Sequence, residues 1–153
     1  MNIHRTISNL SAILGTYMPK KSSVIIKRSS AGLGLYALQV FKRGDLIIEY
    51  TGEHISHEES DRRGGKYLFI LNKKIVVDGK GRKNTARYIN HACKPNAEPE
   101  TDDYDLKIRI HARKKILPGE EITYDYGKEY WEEYIKPHGC RCATCMSPRK
   151  KSK

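Results

Sequence analysis

The clearest pattern in the chain is a strict alternation over residues 106–113. Leu106, Ile108, Ile110 and Ala112 fall on one face, and Lys107, Arg109, His111 and Arg113 on the other. A period of two reads as a half-buried strand with a basic outer face. Shorter apolar runs repeat the theme. Val24, Ile25 and Ile26 form a β-branched strand, residues 29–34 break it as a loop, and residues 35–38 return to strand. Residues 46–50 follow after a Lys-Arg-Gly-Asp turn and are closed by Gly52. Residues 67–71 and 75–78 pair around Asn72-Lys73-Lys74, and residues 121–124 follow the Pro118-Gly119 turn. Residues 56–63 and 128–136 read as short polar helices, the first ended by Gly64-Gly65 and the second stopped by Pro137. Residues 1–22 carry no clean period and read as an irregular or weakly helical lead-in. Strands at roughly ten-residue spacing predict a mainly β domain of small sheets with few short helices.

Length and composition narrow this picture. The 153 residues fit one domain with a modest core, and 38% are hydrophobic. No apolar run is long enough to span a bilayer. Residues 11–18 are too short and mixed for a signal peptide, although a Ser/Thr-rich targeting segment fits the same stretch. The expectation is an intracellular protein without a membrane partner, cytoplasm and nucleus not being distinguished.

The net charge of +11 is unevenly spread. Residues 1–44 hold seven Lys or Arg and no acid, and residues 146–153 hold four bases and no acid. The interval 45–145 holds eighteen of each sign and is neutral. Basic ends suit contact with nucleic acid or an acidic surface, or serve solubility alone. Within the neutral interval, Glu98, Glu100, Asp102, Asp103 and Asp105 form an acidic stretch. It suits a lysine-rich tail or is a solvated loop.

Several groups carry candidate chemistry. Gly32 and Gly34 flank Leu33 between two strands, where glycine lets backbone approach a ligand, although a plain loop has the same composition. Residues 87–96, Arg-Tyr-Ile-Asn-His-Ala-Cys-Lys-Pro-Asn, place Asn90 and His91 as adjacent hydrogen-bonding groups. Tyr124 and Tyr126 share a face by alternation, as channel phenols or as core aromatics. Three of the four cysteines, Cys140, Cys142 and Cys145, crowd together, too close for easy disulfide pairing. With Cys93 they complete a four-thiolate set suited to one tetrahedral zinc. The alternative is a reduced, metal-free cluster.

In this order the motifs resemble those of the SET-domain protein-lysine methyltransferases, over residues 24–145. Ala31-Gly32-Leu33-Gly34-Leu35-Tyr36-Ala37 looks like the family's first glycine motif, and Glu49-Tyr50-Thr51-Gly52-Glu53 like its Tyr-x-Gly motif. Residues 87–96 are similar to its Arg-Phe-x-Asn-His-Ser-Cys-x-Pro-Asn signature, with Tyr88 for Phe and Ala92 for Ser. Gly119-Glu120-Glu121-Ile122-Thr123-Tyr124-Asp125-Tyr126 matches its closing motif. Residues 140–145 resemble the cysteine segment that follows the domain, with two residues before the last cysteine where the family usually has four.

The resemblance implies a SET-type fold of small curved sheets with a pseudoknot-like C-terminal crossing. It divides the chain into a basic lead-in at 1–23, a SET domain at 24–127, a zinc segment at 128–145 and a basic tail at 146–153. It implies S-adenosylmethionine as cofactor, held by Ala31, Gly32, Leu33, Gly34, Tyr50, Asn90 and His91. Tyr126 aligns with the catalytic tyrosine. Tyr67 and Tyr124 line the lysine channel, and a tyrosine at position 124 favours mono- or dimethylation. The partner implied is a protein bearing the target lysine, a histone-like tail of chromatin being one such substrate. Two competing classes are a catalytically inactive SET-like binding module and a basic zinc-knuckle protein that binds nucleic acid.

Overall fold

The computed structural model describes residues 22–147. The expectations for positions 1–21 of the lead-in and 148–153 of the basic tail lie outside the described residues.

Among the described residues, ten short strands form three sheets. The first sheet orders β1 (Val24–Ser29), β2 (Gly32–Ala37), β10 (Glu121–Tyr124) and β7 (Asn90–His91). The β1–β2 pair is a tight antiparallel hairpin, with Ser29 opposite Gly32 and Lys27 opposite Gly34. The expected loop over 29–34 therefore shrinks to Ser30 and Ala31, and both glycines are strand residues. The reason lies at the next strand: a Cβ on Gly34 would collide with the Glu121 carboxylate of β10. Glycine within a strand marks such a close approach. β7 runs parallel to β10, with Thr123 opposite Asn90 and Tyr124 opposite His91. This crossing lays residues 87–96 and 119–126 side by side.

The second sheet orders β3 (Leu46–Tyr50), β9 (Lys107–Ala112) and β8 (Ala97–Asp102). The alternation of β9 buries Ile108, Ile110 and Ala112 at 1% exposure or less. Leu106 is left-handed, at φ 54°, so it ends the preceding turn and the strand begins one residue later. Only residues 103–105 of the acidic stretch are an exposed turn. Most of it is β8, paired along its length with β9. Arg109 meets Asp102 at 2.8 Å and Asp105 at 2.5 Å, and His111 meets Glu100 at 3.2 Å. The basic outer face of one strand answers the acidic face of its neighbour.

The third sheet orders β4 (Glu53–Ile55), β6 (Val76–Asp78) and β5 (Leu68–Ile70). Helix α1 (His57–Arg63) packs beside it. Ser56 caps the helix by accepting the Glu59 N–H, with acids in the first turn and arginines in the last, as the helix dipole favours. Arg63 reaches Glu53, Glu59 and the buried Asp78, at 2.7, 2.6 and 2.9 Å. This pins the helix to β4 and β6. The expected helix over 128–136 appears as α2 (Lys128–Tyr130) continued by a wider π-type turn, Trp131–Ile135. Helix α3 (Ala143–Met146) lies within the cysteine segment. Leu35, Phe41, Ile89, Ile108, Ile110, Ile116 and Ile122 form a fully buried core between the first two sheets and the segments joining them.

Candidate functional site

A cavity of about 1030 Å³ opens where the sheets meet α1 and the C-terminal segment. Its walls draw on widely separated stretches of chain. Ala31 and Leu33 come from the first hairpin, Tyr50 from β3, and Tyr67 from the entry to β5. Asn90 and His91 come from β7, Tyr124 and Tyr126 from β10 and its exit, and Cys140 and Cys142 from the cysteine segment. Gly32 and Gly34 do not line it. Gly32 is left-handed, at φ 118°, and serves the turn, while Gly34 makes room for Glu121.

Asn90 is the joint of this wall. Its amide nitrogen lies 2.9 Å from the Leu33 carbonyl, 3.0 Å from Ser29 Oγ and 2.8 Å from Glu121 Oε1. Its donors are directed at the hairpin and β10, so they fix the shape of the wall. His91 accepts the Tyr126 backbone N–H on Nδ1 at 3.3 Å, which leaves the proton on Nε2. That Nε2 faces Cys93 Sγ at 3.8 Å. Burial lowers the His91 pKa against the pull of Asp125, so the ring is neutral at pH 7.

The tyrosines stack as a ladder along the cavity. Ring centroids are 5.1 Å apart for Tyr124–Tyr126, and 4.7 Å for both Tyr126–Tyr130 and Tyr130–Tyr134. The Tyr126 hydroxyl donates to the Ile89 carbonyl at 2.6 Å. Burial raises the pKa of Tyr124 and of Tyr126, and pushes Tyr130 up to about 12. These phenols therefore keep their protons at neutral pH and act as hydrogen-bonding walls, not as bases. Tyr50 is buried and donates to the Tyr67 carbonyl at 2.9 Å. Tyr67 is 37% exposed, with the Arg87 guanidinium 4.0 Å from its ring centre.

The four cysteines converge, none in a disulfide, with all sulfurs within 4.8 Å of one another. Cys93 Sγ lies 3.8 Å from Cys140 and 3.6 Å from Cys145. Zinc–sulfur bonds of about 2.3 Å in a tetrahedron set sulfurs about 3.8 Å apart. The donor set thus suits zinc despite the tight sequence spacing. Ser30 Oγ donates to the Arg141 carbonyl at 2.8 Å, tying the cysteine segment to the first hairpin across the cavity edge.

Several lining residues were not singled out from sequence. Tyr130 and Tyr134 are spaced to share one face of a helical segment, a signal present but unread. Glu129 and Glu133 lie on the same segment, and His57 and Asp61 on α1. Lys66 Nζ lies 5.9 Å from the Tyr134 ring centre, an ammonium already resting on this aromatic surface.

The profile of the SET domain matches residues 32–127. The chain is 39% identical over 137 residues to "Histone-lysine N-methyltransferase trr" of Drosophila melanogaster, covering 82% of this chain and 6% of that protein. It is 38% identical over 125 residues to "Histone-lysine N-methyltransferase, H3 lysine-4 specific" of Schizosaccharomyces pombe, covering 74% of this chain and 13% of that one. Among solved structures, it resembles a chain of the Chaetomium thermophilum polycomb repressive complex 2. The TM-score is 0.64 at 36% identity, over 70% of this chain and 15% of that one. The chain thus spans a small part of the length of these relatives.

Proposed function

The chain belongs to the SET-domain family, and from that premise we propose that it transfers a methyl group from S-adenosylmethionine to a lysine side chain of a protein. One observation carries this reading: residues from all four ordered motifs line a single cavity. Its volume is generous for one small ligand and leaves room for an inserted side chain as well. When bound, S-adenosylmethionine supplies an electrophilic methyl on a positively charged sulfur.

The cavity residues take these roles in the proposal. Ala31, Leu33, Tyr50, Asn90 and His91 form the cofactor wall, with Gly32 and Gly34 shaping the hairpin that carries it. Tyr67 and Tyr124 line the lysine channel. Tyr126 keeps its proton on the Ile89 carbonyl. Its phenolic oxygen then has lone pairs free to orient an amine or a polarised methyl group. The acceptor lysine must be neutral to attack. Free lysine has a pKa of about 10.4, so on the order of one in two thousand is neutral at pH 7. A dry aromatic channel lowers that pKa, and an adjacent positive sulfur acts in the same direction. No general base is required if the proton leaves to water before closure. Holding both reactants in line contributes roughly 7–11 kcal/mol at best.

We assign one zinc to Cys93, Cys140, Cys142 and Cys145, where it would brace the C-terminal wall. The substrate class is a basic, histone-like tail, and the place of action is chromatin. Asp61, Glu129 and Glu133 on the cavity wall suit a lysine-rich chain, whereas Glu100, Asp102 and Asp105 are outside the cavity and matched by Arg109 and His111.

Incubation with methyl-labelled S-adenosylmethionine and a panel of basic proteins tests this. Label on lysine supports the reading. Cofactor binding without label on any histone-like protein points to the inactive-module class, and no cofactor binding to the zinc-knuckle class.

A further inference from the structure

Of the seven bases within residues 1–44, Lys27, Arg28, Lys42 and Arg43 lie inside the folded region, not on an arm. Two of them join bases from the neutral interval. Phe41 and Ile116 pair as an isolated antiparallel bridge, with N–H to carbonyl distances of 3.0 and 2.9 Å. Gly44 donates to the Ala112 carbonyl at 2.7 Å, and Ala112 to the Asp45 carbonyl at 2.9 Å. This ladder sets Lys42 and Arg43 against Arg113, Lys114 and Lys115, all five exposed. None of the five makes an ion pair within 4.0 Å of any described residue. The two nearby acids are engaged with backbone: Asp45 accepts the Lys42 N–H at 2.7 Å, and Glu120 the Leu117 N–H at 2.6 Å. On β8 and β9 the fold sets opposite charges against each other. Here it collects one sign.

We propose that this corner binds the phosphate backbone of duplex nucleic acid. None of the five bases lines the site cavity or the smaller cavity beside Asp78. Phe41, the aromatic within it, is 2% exposed, so there is no platform on which unstacked bases of a single strand could lie. What it offers is several long cationic side chains on a solid ladder, which matches evenly spaced phosphates without reading sequence. Leu46 and Leu117, 53% and 47% exposed, flank it. With no exposed aromatic anchor in the corner, they give little hold on a lipid surface. The inference is independent of the proposed reaction, because binding is read without methyl transfer.

The test uses the full chain and a fluorescent 20-base-pair DNA duplex, with anisotropy measured from 50 to 200 mM salt. The variant Lys42→Ala/Arg43→Ala/Lys114→Ala/Lys115→Ala is expected to bind at least tenfold more weakly at low salt. Its log–log salt slope should be shallower by about 3 to 4, near 0.9 for each phosphate that is no longer neutralised. The variant Lys27→Ala/Arg28→Ala/Lys73→Ala/Lys74→Ala removes the same charge elsewhere and is expected to keep most of both. The single reversal Lys114→Glu, checked for an unchanged thermal midpoint, guards against misfolding of the quadruple variant and should also weaken binding. Equal losses in the two quadruple variants would overturn the proposal. So would absence of duplex binding, or tighter binding through the same residues to poly-glutamate or to anionic phospholipid vesicles.

Discussion

The Tyr126 hydroxyl donates a 2.6 Å hydrogen bond to the carbonyl of Ile89, the residue immediately before Asn90 and His91. The bond joins the closing motif to the third motif from within the cavity. A second link runs the same way, from the Tyr126 backbone N–H to His91 Nδ1 at 3.3 Å. One tyrosine thus holds the two crossing segments at two points, and its ring forms part of the channel they enclose. In the proposed reaction, geometry at the reacting centre and packing at the crossing depend on the same residue.

Tyr124 is buried and lies 5.1 Å from Tyr126 between ring centroids. It lines the cavity, and in the proposed channel its hydroxyl takes up space that further methyl groups would need. We expect the native protein to stop at mono- or dimethyl-lysine, and Tyr124→Phe to shift the product toward trimethyl-lysine. Mass spectrometry of the substrate peptide checks this. Efficient trimethylation by the native protein, unchanged in the variant, would remove Tyr124 from that role.

The only tryptophan of the chain, Trp131, lies 5.5 Å from the ring of His91, whose Nε2 faces Cys93 of the cysteine cluster. Elemental analysis of untagged protein should give about one zinc per chain. Chelation, or Cys93→Ser, should release it and change Trp131 emission as the C-terminal segment loosens. Protein purified without zinc, with native emission and native cofactor affinity, would contradict the assignment.

Gly34 stands where any Cβ would collide with the Glu121 carboxylate, which in turn lies 2.8 Å from the Asn90 amide nitrogen. Gly34→Ala should therefore push the Glu121 carboxylate aside at about 1 kcal/mol in stability, the low end of overpacking, because the colliding atom ends a flexible side chain. It should also weaken S-adenosylmethionine binding by about tenfold through the displaced Asn90. Urea unfolding and calorimetric titration measure the two effects. A variant with native stability and affinity would mean that this joint can yield.

The α1 anchor sets an acid limit. Hydrogen bonds from Arg62 and Arg63 lower the Glu59 pKa to about 2. The Arg63 hydrogen bond lowers Glu53, and Asp78 ends below its usual value although burial works against it. A carboxylate with a depressed folded pKa binds fewer protons than its unfolded counterpart. Its stabilisation is complete above about pH 5 and fades as pH falls toward 2. The urea midpoint should drop across that window, and Arg63→Ala should lower the midpoint at neutral pH and flatten the drop. A variant that keeps the full acid dependence would assign it to other groups.

The sequence made the local elements readable where one rule governed them. The alternation of 106–113 predicted β9 because one face is core and the other solvent. Ser56 and Gly64 marked the ends of α1. It misjudged residues 29–34, where glycines usually signal a loop, because the close approach of Glu121 comes from a strand about ninety residues away. It treated Glu100, Asp102 and Asp105 as free, because their partners Arg109 and His111 belong to another strand. The charged corner was hidden for the same reason: Lys42 and Lys114 become neighbours only through the Phe41–Ile116 bridge. The site residues were visible as motifs, yet Tyr130 and Tyr134 were not, since a shared helix face alone does not separate cavity-lining aromatics from ones packed in the core.

The most direct measurement is single-turnover methyl transfer by Tyr126→Phe set beside its affinity for S-adenosylmethionine. The substitution removes one oxygen and leaves the ring in place against His91 and Tyr130. Losing one preorganised hydrogen-bonding group of this kind costs on the order of 10²–10³ in rate. We expect a rate loss of that size, with cofactor affinity within about threefold of native. Transfer at the native rate onto the same lysine would contradict the central role given to Tyr126.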